Sequence, residues 1–295
     1  SDVYKRQGFD FSAGYSNETA SGFSYGIDAT LSTYKNEVTD LVSEFQIGNA
    51  TEIADATPNR TQVGQPIGAF YGRIADGIYR STAEVAAGPD QNFATDADGV
   101  GRIRFRDLNG DNVINDDDRT FIGSPHPDFT YGVNLSAGYK GFDLSAFFSG
   151  VSGNDIYNAD REFTDFPAFF NGNRSTRVLN SFHPTDNPGG TAPALSSAIQ
   201  NNELSANSYF LEDGSFLRLK NLQIGYTLPS SITDKVGLTS ARIYVSGTNL
   251  FTITDYSGID PEIQPGHGAN ALTLGLDVNN FPIARTLLFG INLKF

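Results

Sequence analysis

Phe129-Thr-Tyr-Gly-Val-Asn-Leu-Ser-Ala-Gly-Tyr-Lys140 sets Phe, Tyr, Val, Leu, Ala and Tyr at its odd positions and Thr, Gly, Asn, Ser, Gly and Lys at its even ones. Alternation sustained over such a run has the period of a β-strand and not of a helix. After Lys140-Gly141 the pattern restarts as Phe142, Leu144, Ala146 and Phe148, so a two-residue turn ending in Gly joins two strands as a hairpin. The same alternation returns at Phe9–Tyr15, Phe23–Leu31, Leu222–Leu228 and Ile243–Gly247, and the chain ends on Leu287, Phe289, Ile291, Leu293 and Phe295. The pattern predicts strands near 8–16, 23–34, 128–139, 142–151, 214–228, 241–252 and 284–295. No segment of comparable length shows a 3.6-residue period, so helix is minor.

The connections left between these strands are 17–22, 35–127, 140–141, 152–213, 229–240 and 253–283. Short and long alternate throughout. Outer-membrane barrels have this asymmetry, with short periplasmic turns and long extracellular loops, and strands of about 9–11 residues suffice for a tilted crossing. The expected fold is all-β: part of a large antiparallel transmembrane β-barrel with long extracellular loops. By parity the C-terminus is periplasmic. One strand face would meet lipid with Phe, Leu, Ile, Val and Tyr, and the other a polar lumen with Ser, Thr, Asn, Gly and Asp. A soluble sandwich shares the alternation, burying the apolar face in a core instead. An odd number of strands does not close an even-stranded bacterial barrel, so the expectation is an open part of a larger one.

Composition narrows the function classes. Among 295 residues there is no Met, Cys or Trp, but 23 Phe and 13 Tyr. Twenty basic residues face 34 acidic ones, a net charge of −14, which argues against a nucleic-acid partner. Without Cys there is no disulfide scaffold, thiol catalysis or Cys-based zinc site. Mean hydropathy is −0.28, a value that does not register alternating membrane strands. A chain that begins at Ser1 and contains no Met reads as a fragment. Residues 1–7 are polar without alternation and are set aside as a non-native or unassigned leader, leaving 8–295 as barrel.

Several stretches carry a family resemblance. They are Leu211–Pro229 (LEDGSFLRLKNLQIGYTLP), Arg242–Glu262 (RIYVSGTNLFTITDYSGIDPE), Gly68–Gly72 with Asp76-Gly77-Ile78, Asp107–Ile114 followed by Ile122-Gly123, Phe129–Gly132, Lys140–Asp143 and Gly153-Asn154. Together, in this order, they resemble the SusC/RagA family of TonB-linked outer-membrane proteins. The terminal run Ala284–Phe295 resembles the strand by which outer-membrane assembly machinery recognises its clients. The resemblance implies the C-terminal part of a TonB-dependent transporter barrel, with the plug domain and the N-terminal barrel strands absent. It implies import of glycans, oligosaccharides or peptides across the outer membrane, a SusD-like surface lipoprotein as lid, and TonB acting through the missing N-terminal region. The other reading is a soluble or surface β-protein stabilised by calcium, such as an adhesin. No catalytic constellation is present, so no enzyme is expected.

Asp107, Asn109, Asp111, Val113 and Asp118 stand at positions 1, 3, 5, 7 and 12 of an EF-hand-like loop, where oxygen ligands wrap a calcium ion. Asn112 replaces the usual Gly at position 6, and Asp118 the usual Glu at position 12. Calcium is expected there in a structural role; the plain alternative is a solvated acidic turn. Arg102, Arg104 and Arg106 flank Ile103 and Phe105 as a short strand that compensates neighbouring aspartates. His126, His183 and His267 have no metal or acid–base spacing around them. Tyr157, Phe163, Phe166, Phe169 and Phe170, among Asn, Asp and Arg, are candidates for substrate or partner contact, or for a self-packed cluster.

Overall fold

The alternating segments pair side by side into one antiparallel sheet. A computed structural model of the chain describes residues 3–47, 58–198, 202–263, 272–278 and 280–295. Seven strands run in chain order across the sheet: β1 (Val3–Glu18), β2 (Ser24–Asp40), β3 (Phe129–Tyr139), β4 (Phe142–Ser152), β5 (Phe216–Thr227), β6 (Ser240–Thr248) and β7 (Thr286–Lys294). A short eighth strand, Thr252–Thr254, pairs with the start of β5. The predicted strand 241–252 divides here, because Asn249 turns left-handed at φ 52° and ends β6. Strand β1 starts at Val3, so residues 3–7 are paired, with Lys5 opposite Glu37 and Gln7 opposite Lys35. Their lack of alternation hid them. Lys140 and Gly141 both take left-handed φ, 48° and 86°, as a two-residue hairpin turn requires.

Register carries one apolar row across the whole sheet. Phe11 lies opposite Leu31, Ile27 opposite Leu135, Ala137 opposite Leu144, Leu144 opposite Ile224, Ile224 opposite Val245, and Val245 opposite Phe289. The pairing of β4 with β5 shifts between Phe147 and Phe148, which passes over Lys220 and keeps the row in phase. Among the described residues no second sheet covers this face: Phe9, Phe289 and Ile291 are 68%, 78% and 67% exposed. A sandwich would bury them. No described helix is long and apolar enough to cross a membrane, which says nothing about strands.

The long connections all leave one end of the sheet, and the core lies among them. Phe70, Ile103, Phe105, Tyr157, Ala159, Phe166, Leu204 and Phe210 form one buried cluster drawn from two of these connections. Small ladders order it: Ile103–Phe105 pairs with Ala75–Ile78, and Asp155–Asn158 pairs with Leu211–Asp213 on one side and Leu276–Asp277 on the other. Arg104 and Arg106 both reach Asp76, whereas Arg102 is buried against Glu203. Charge compensation at this short strand is thus split between an exposed aspartate and a buried glutamate.

Candidate functional site

On the polar face, where the long connections meet the strands, lies a cavity of about 530 Å³. Thr30, Ser32 and Tyr34 of β2, Thr130 and Gly132 of β3, and Phe147 and Ser149 of β4 form its floor. Its roof is Pro125-His126-Pro127, Pro261-Glu262-Ile263 and Leu274-Gly275. This size is ordinary for a small-ligand site. Alternation builds the floor, since every second residue of three adjacent strands points the same way.

The roof is fastened by buried polar contacts. Arg218, at the start of β5, is 2% exposed; it donates to Thr252 at 2.8 Å and to Glu262 at 2.9 Å, and also bonds Asp260. Asp260 in turn accepts the backbone N–H of Glu262 and of Ile283, and Lys220 donates to Glu262 at 2.8 Å. Asn59 donates to the carbonyls of Gly68 and Leu274, tying two connections together. His126 Nε2 lies 2.8 Å from the Ile67 carbonyl, which only accepts, so this nitrogen carries the proton. Burial pushes the His126 imidazole below its ordinary value, against that hydrogen bond, and so favours the neutral ring. With Glu262 neutralised by Arg218 and Lys220, the cavity offers hydroxyls, an amide at Asn154 and ring faces. Chemically it can hold a neutral polar ligand. None of Arg218, Asp260 or Glu262 was singled out from the sequence, although all three lie in the stretches that carry the resemblance.

The aromatic candidates separate into two groups. Tyr157 is 0% and Phe166 7% exposed, both inside the core of the connections, where Tyr157 packs on Phe70 and Phe210. Burial pushes the Tyr157 phenol well up. Phe169 packs against that core, Phe163 lies 5.1 Å from Phe169 and 5.9 Å from Phe170, and Phe170 alone is half exposed. The self-packed cluster is what the geometry displays, with Phe170 at its outer edge. None of the five lines the cavity.

The acidic turn is folded on itself. Asp107 accepts the N–H groups of Gly110 and Asn112, which hold its carboxyl below the usual range; Asn109 accepts that of Asp111, and Asp111 that of Val113. Asp118 is fully buried and accepts from Leu108 at 2.8 Å and Asn115 at 2.9 Å. Arg73 bonds the Asn115 carbonyl and Asp116, joining the turn to the core. Among the described residues no three His, Asp or Glu side chains gather as a metal-binding group. Of the histidines, His183 Nδ1 accepts backbone N–H groups from Thr185 and Asp186, and His267 lies outside the described residues.

Comparison with known proteins decides the family. No family model matches the chain. The TonB-dependent receptor P3 of Formosa agariphila is 34% identical over 300 residues, covering 99% of this chain and 29% of the relative. The TonB-dependent receptor SusC of Bacteroides thetaiotaomicron is 26% identical over 296 residues, covering 98% of this chain and 26% of SusC. The solved RagAB peptide transporter superposes with a TM-score of 0.74 at 26% identity, over 99% of this chain and 29% of that one.

The chain belongs to the SusC/RagA family of TonB-linked outer-membrane proteins.

It spans less than a third of the length of these relatives. As SusC/RagA sequence it is barrel wall with its loops. SusC/RagA relatives are receptors and transporters in the outer membrane, and the chain is accordingly not an enzyme.

Proposed function

We propose that the chain is the C-terminal barrel portion of an outer-membrane importer that takes up glycans, oligosaccharides or peptides, and that the cavity beneath the roof contacts the passing substrate. The observation that carries this reading is the exposed apolar row on one sheet face, opposite a polar face that the long connections cap at one end. The short turns then lie in the periplasm together with the C-terminus, and the long connections lie outside the cell. A SusD-like lipoprotein would cover the long connections, with the half-exposed Phe170 at that surface, and TonB would act through a region this chain does not contain. The polar, charge-balanced cavity suits a neutral ligand better than an ion. A soluble adhesin would need its apolar face buried, and that face is open.

The experiment is fractionation of cells expressing the protein. Recovery in outer membranes, with a mobility on gels that changes on heating, supports the importer. Recovery in the soluble fraction overturns it.

Calcium is proposed as the structural ion of the 107–118 turn. The left-handed φ of 63° at Asn112 supports this, since position 6 of such a loop needs that conformation and Gly is missing there. Each carboxylate oxygen keeps a lone pair beyond the N–H it accepts. The ion would hold the turn's shape and perform no chemistry.

A further inference from the structure

The last long connection returns to the loop core by a two-residue parallel ladder, Tyr157 opposite Leu276 and Asn158 opposite Asp277. Tyr157 N–H donates to the Gly275 carbonyl at 2.9 Å and Ala159 N–H to the Asp277 carbonyl at 3.0 Å. Side chains at a register pair share a face, and neighbouring strands lie about 4.8 Å apart, so Asn158 and Asp277 are within each other's reach. Both are buried, at 2% and 1% exposure.

Each has one polar atom satisfied by a neighbour and one oxygen left over. Asn158 spends its amide N–H on Glu212, and its Oδ1 has no donor. Asp277 Oδ2 accepts from the Tyr256 hydroxyl, and its Oδ1 has no donor. Two buried acceptors at one register pair cannot satisfy each other. One proton on Asp277 Oδ1 turns that acceptor into a donor and resolves both.

We propose that Asp277 is a proton-operated latch, which as the neutral acid donates to Asn158 and holds residues 272–278 against the loop core, and as the carboxylate lets them loosen.

The charged surroundings favour a proton. Asp160 and Asp260 face Asp277 and disfavour its charge; the Tyr256 hydroxyl and the Asn280 backbone N–H favour it. The nearby arginines are committed elsewhere: Arg161 to Asp165 and Glu212, Arg177 to Asp165, and Arg218 to Asp260 and Glu262. Burial, reinforced by the two aspartates, pushes the Asp277 carboxyl up to about 6. A metal ion would need more donors than one carboxylate and one amide, and no three acidic or imidazole side chains gather among the described residues.

The sign follows from the raised value. Released, Asp277 titrates near the ordinary 3.8; docked, near 6. Docking is strongest below the lower value and is lost as pH rises through the upper one. The ratio of docked to released forms falls by roughly 100-fold between pH 4 and 7 and is flat above. Leu274 and Gly275 belong to the same segment and form part of the cavity roof. Mild acid therefore firms the roof and neutral pH frees it, a consequence that rests on the cavity being the ligand site; the latch itself does not.

The test is hydrogen exchange at the Tyr157 and Ala159 amides of the full protein assembled in detergent, from pH 4.5 to 8, corrected for the intrinsic pH dependence. Protection should fall by one to two orders of magnitude and level off just above pH 6. In Asp277→Asn the amide donates to Asn158 without titrating, so protection should stay high and flat. Tyr256→Phe removes a donor that favours the carboxylate and should move the levelling-off pH upward, which tests the latch even where Asp277→Asn fails to assemble. Flat protection in the unmutated protein, a parallel fall in Asp277→Asn, or protection set by calcium at constant pH would each overturn the latch. Variants of the cavity floor that lose substrate leave this exchange unchanged, so the two readings fail separately.

Discussion

Arg242 on β6 bonds Asp143 on β4 across the whole width of the intervening strand, its Nε 2.9 Å from the carboxylate. The two strands are not neighbours in the sheet. The pair is made over Gly225 of β5, where a Cβ would stand 2.3 Å from the guanidinium. The glycine is a slot in the polar face through which a long side chain reaches its partner.

Gly225→Ala should close that slot and release Arg242. An ion pair in contact with water is worth about 0.2–1 kcal/mol, so the loss in barrel stability should be of that order. In an Arg242→Ala background the same substitution should cost nothing further. A double-mutant cycle in denaturant, read on folded barrel in detergent, measures the difference. Two costs that simply add would mean that Gly225 serves something other than the pair.

Ile291 lies opposite Ile243 in the apolar row, and Asn292 lies opposite Arg242 on the other face. An Arg on the lipid face costs about 2–4 kcal/mol near the bilayer midplane and much less toward the interfaces. Ile291→Arg should lower the yield of heat-modifiable barrel in outer membranes, while Asn292→Arg should assemble normally. Equal yields would contradict the assignment of faces.

Arg218 compensates Asp260 and Glu262 in one buried network. Arg218→Met keeps the volume and leaves those carboxylates without their main partner, a loss of about 3–5 kcal/mol where the charge stays buried. The last connection should become cleavable by added protease in intact cells while the barrel still assembles. Replacing Asp260 and Glu262 by Asn and Gln in the same background should restore part of the resistance. Resistance unaffected by Arg218→Met would show that the network does not hold the roof.

The 107–118 turn should be protected from protease by millimolar calcium and lose that protection in Asp107→Ala with Asp111→Ala. An affinity of roughly 10⁻⁴–10⁻³ M would serve outside the cell. Cleavage at the same rate in calcium and in chelator would reduce the turn to its own hydrogen bonds.

What was legible in the sequence was whatever repeats with period two. The hairpin at Lys140-Gly141 and the terminal row through Ile291 could be read from the letters, because a strand with one face in lipid and one in water writes its register into its composition. The core of the connections was not legible. Phe70, Ile103, Tyr157, Phe166 and Phe210 lie far apart in the chain and follow no period; only the tertiary fold brings them together. Tyr157 and Phe166 can be read from the letters either as contact residues or as a self-packed cluster, and they lie inside. The cavity roof was hidden for the same reason, since Arg218 is read as one more polar residue on a strand until Asp260 and Glu262 fold back onto it. Residues 3–7 were missed because their side chains do not alternate, although their backbones pair with β2 throughout.

The central claim is that one face of this sheet meets lipid. The chain contains no Cys, so within it single cysteines along β5 have no competing thiol, and the unsubstituted protein serves as the labelling blank. Cysteines at Asn221, Leu222, Gln223, Ile224 and Tyr226 in outer membranes should alternate under a water-soluble thiol reagent. The account predicts labelling at Asn221 and Gln223, from the lumen, and protection at Leu222, Ile224 and Tyr226, in lipid; Gly225, covered by Arg242, is left out of the reading. Uniform labelling of all these positions would contradict it.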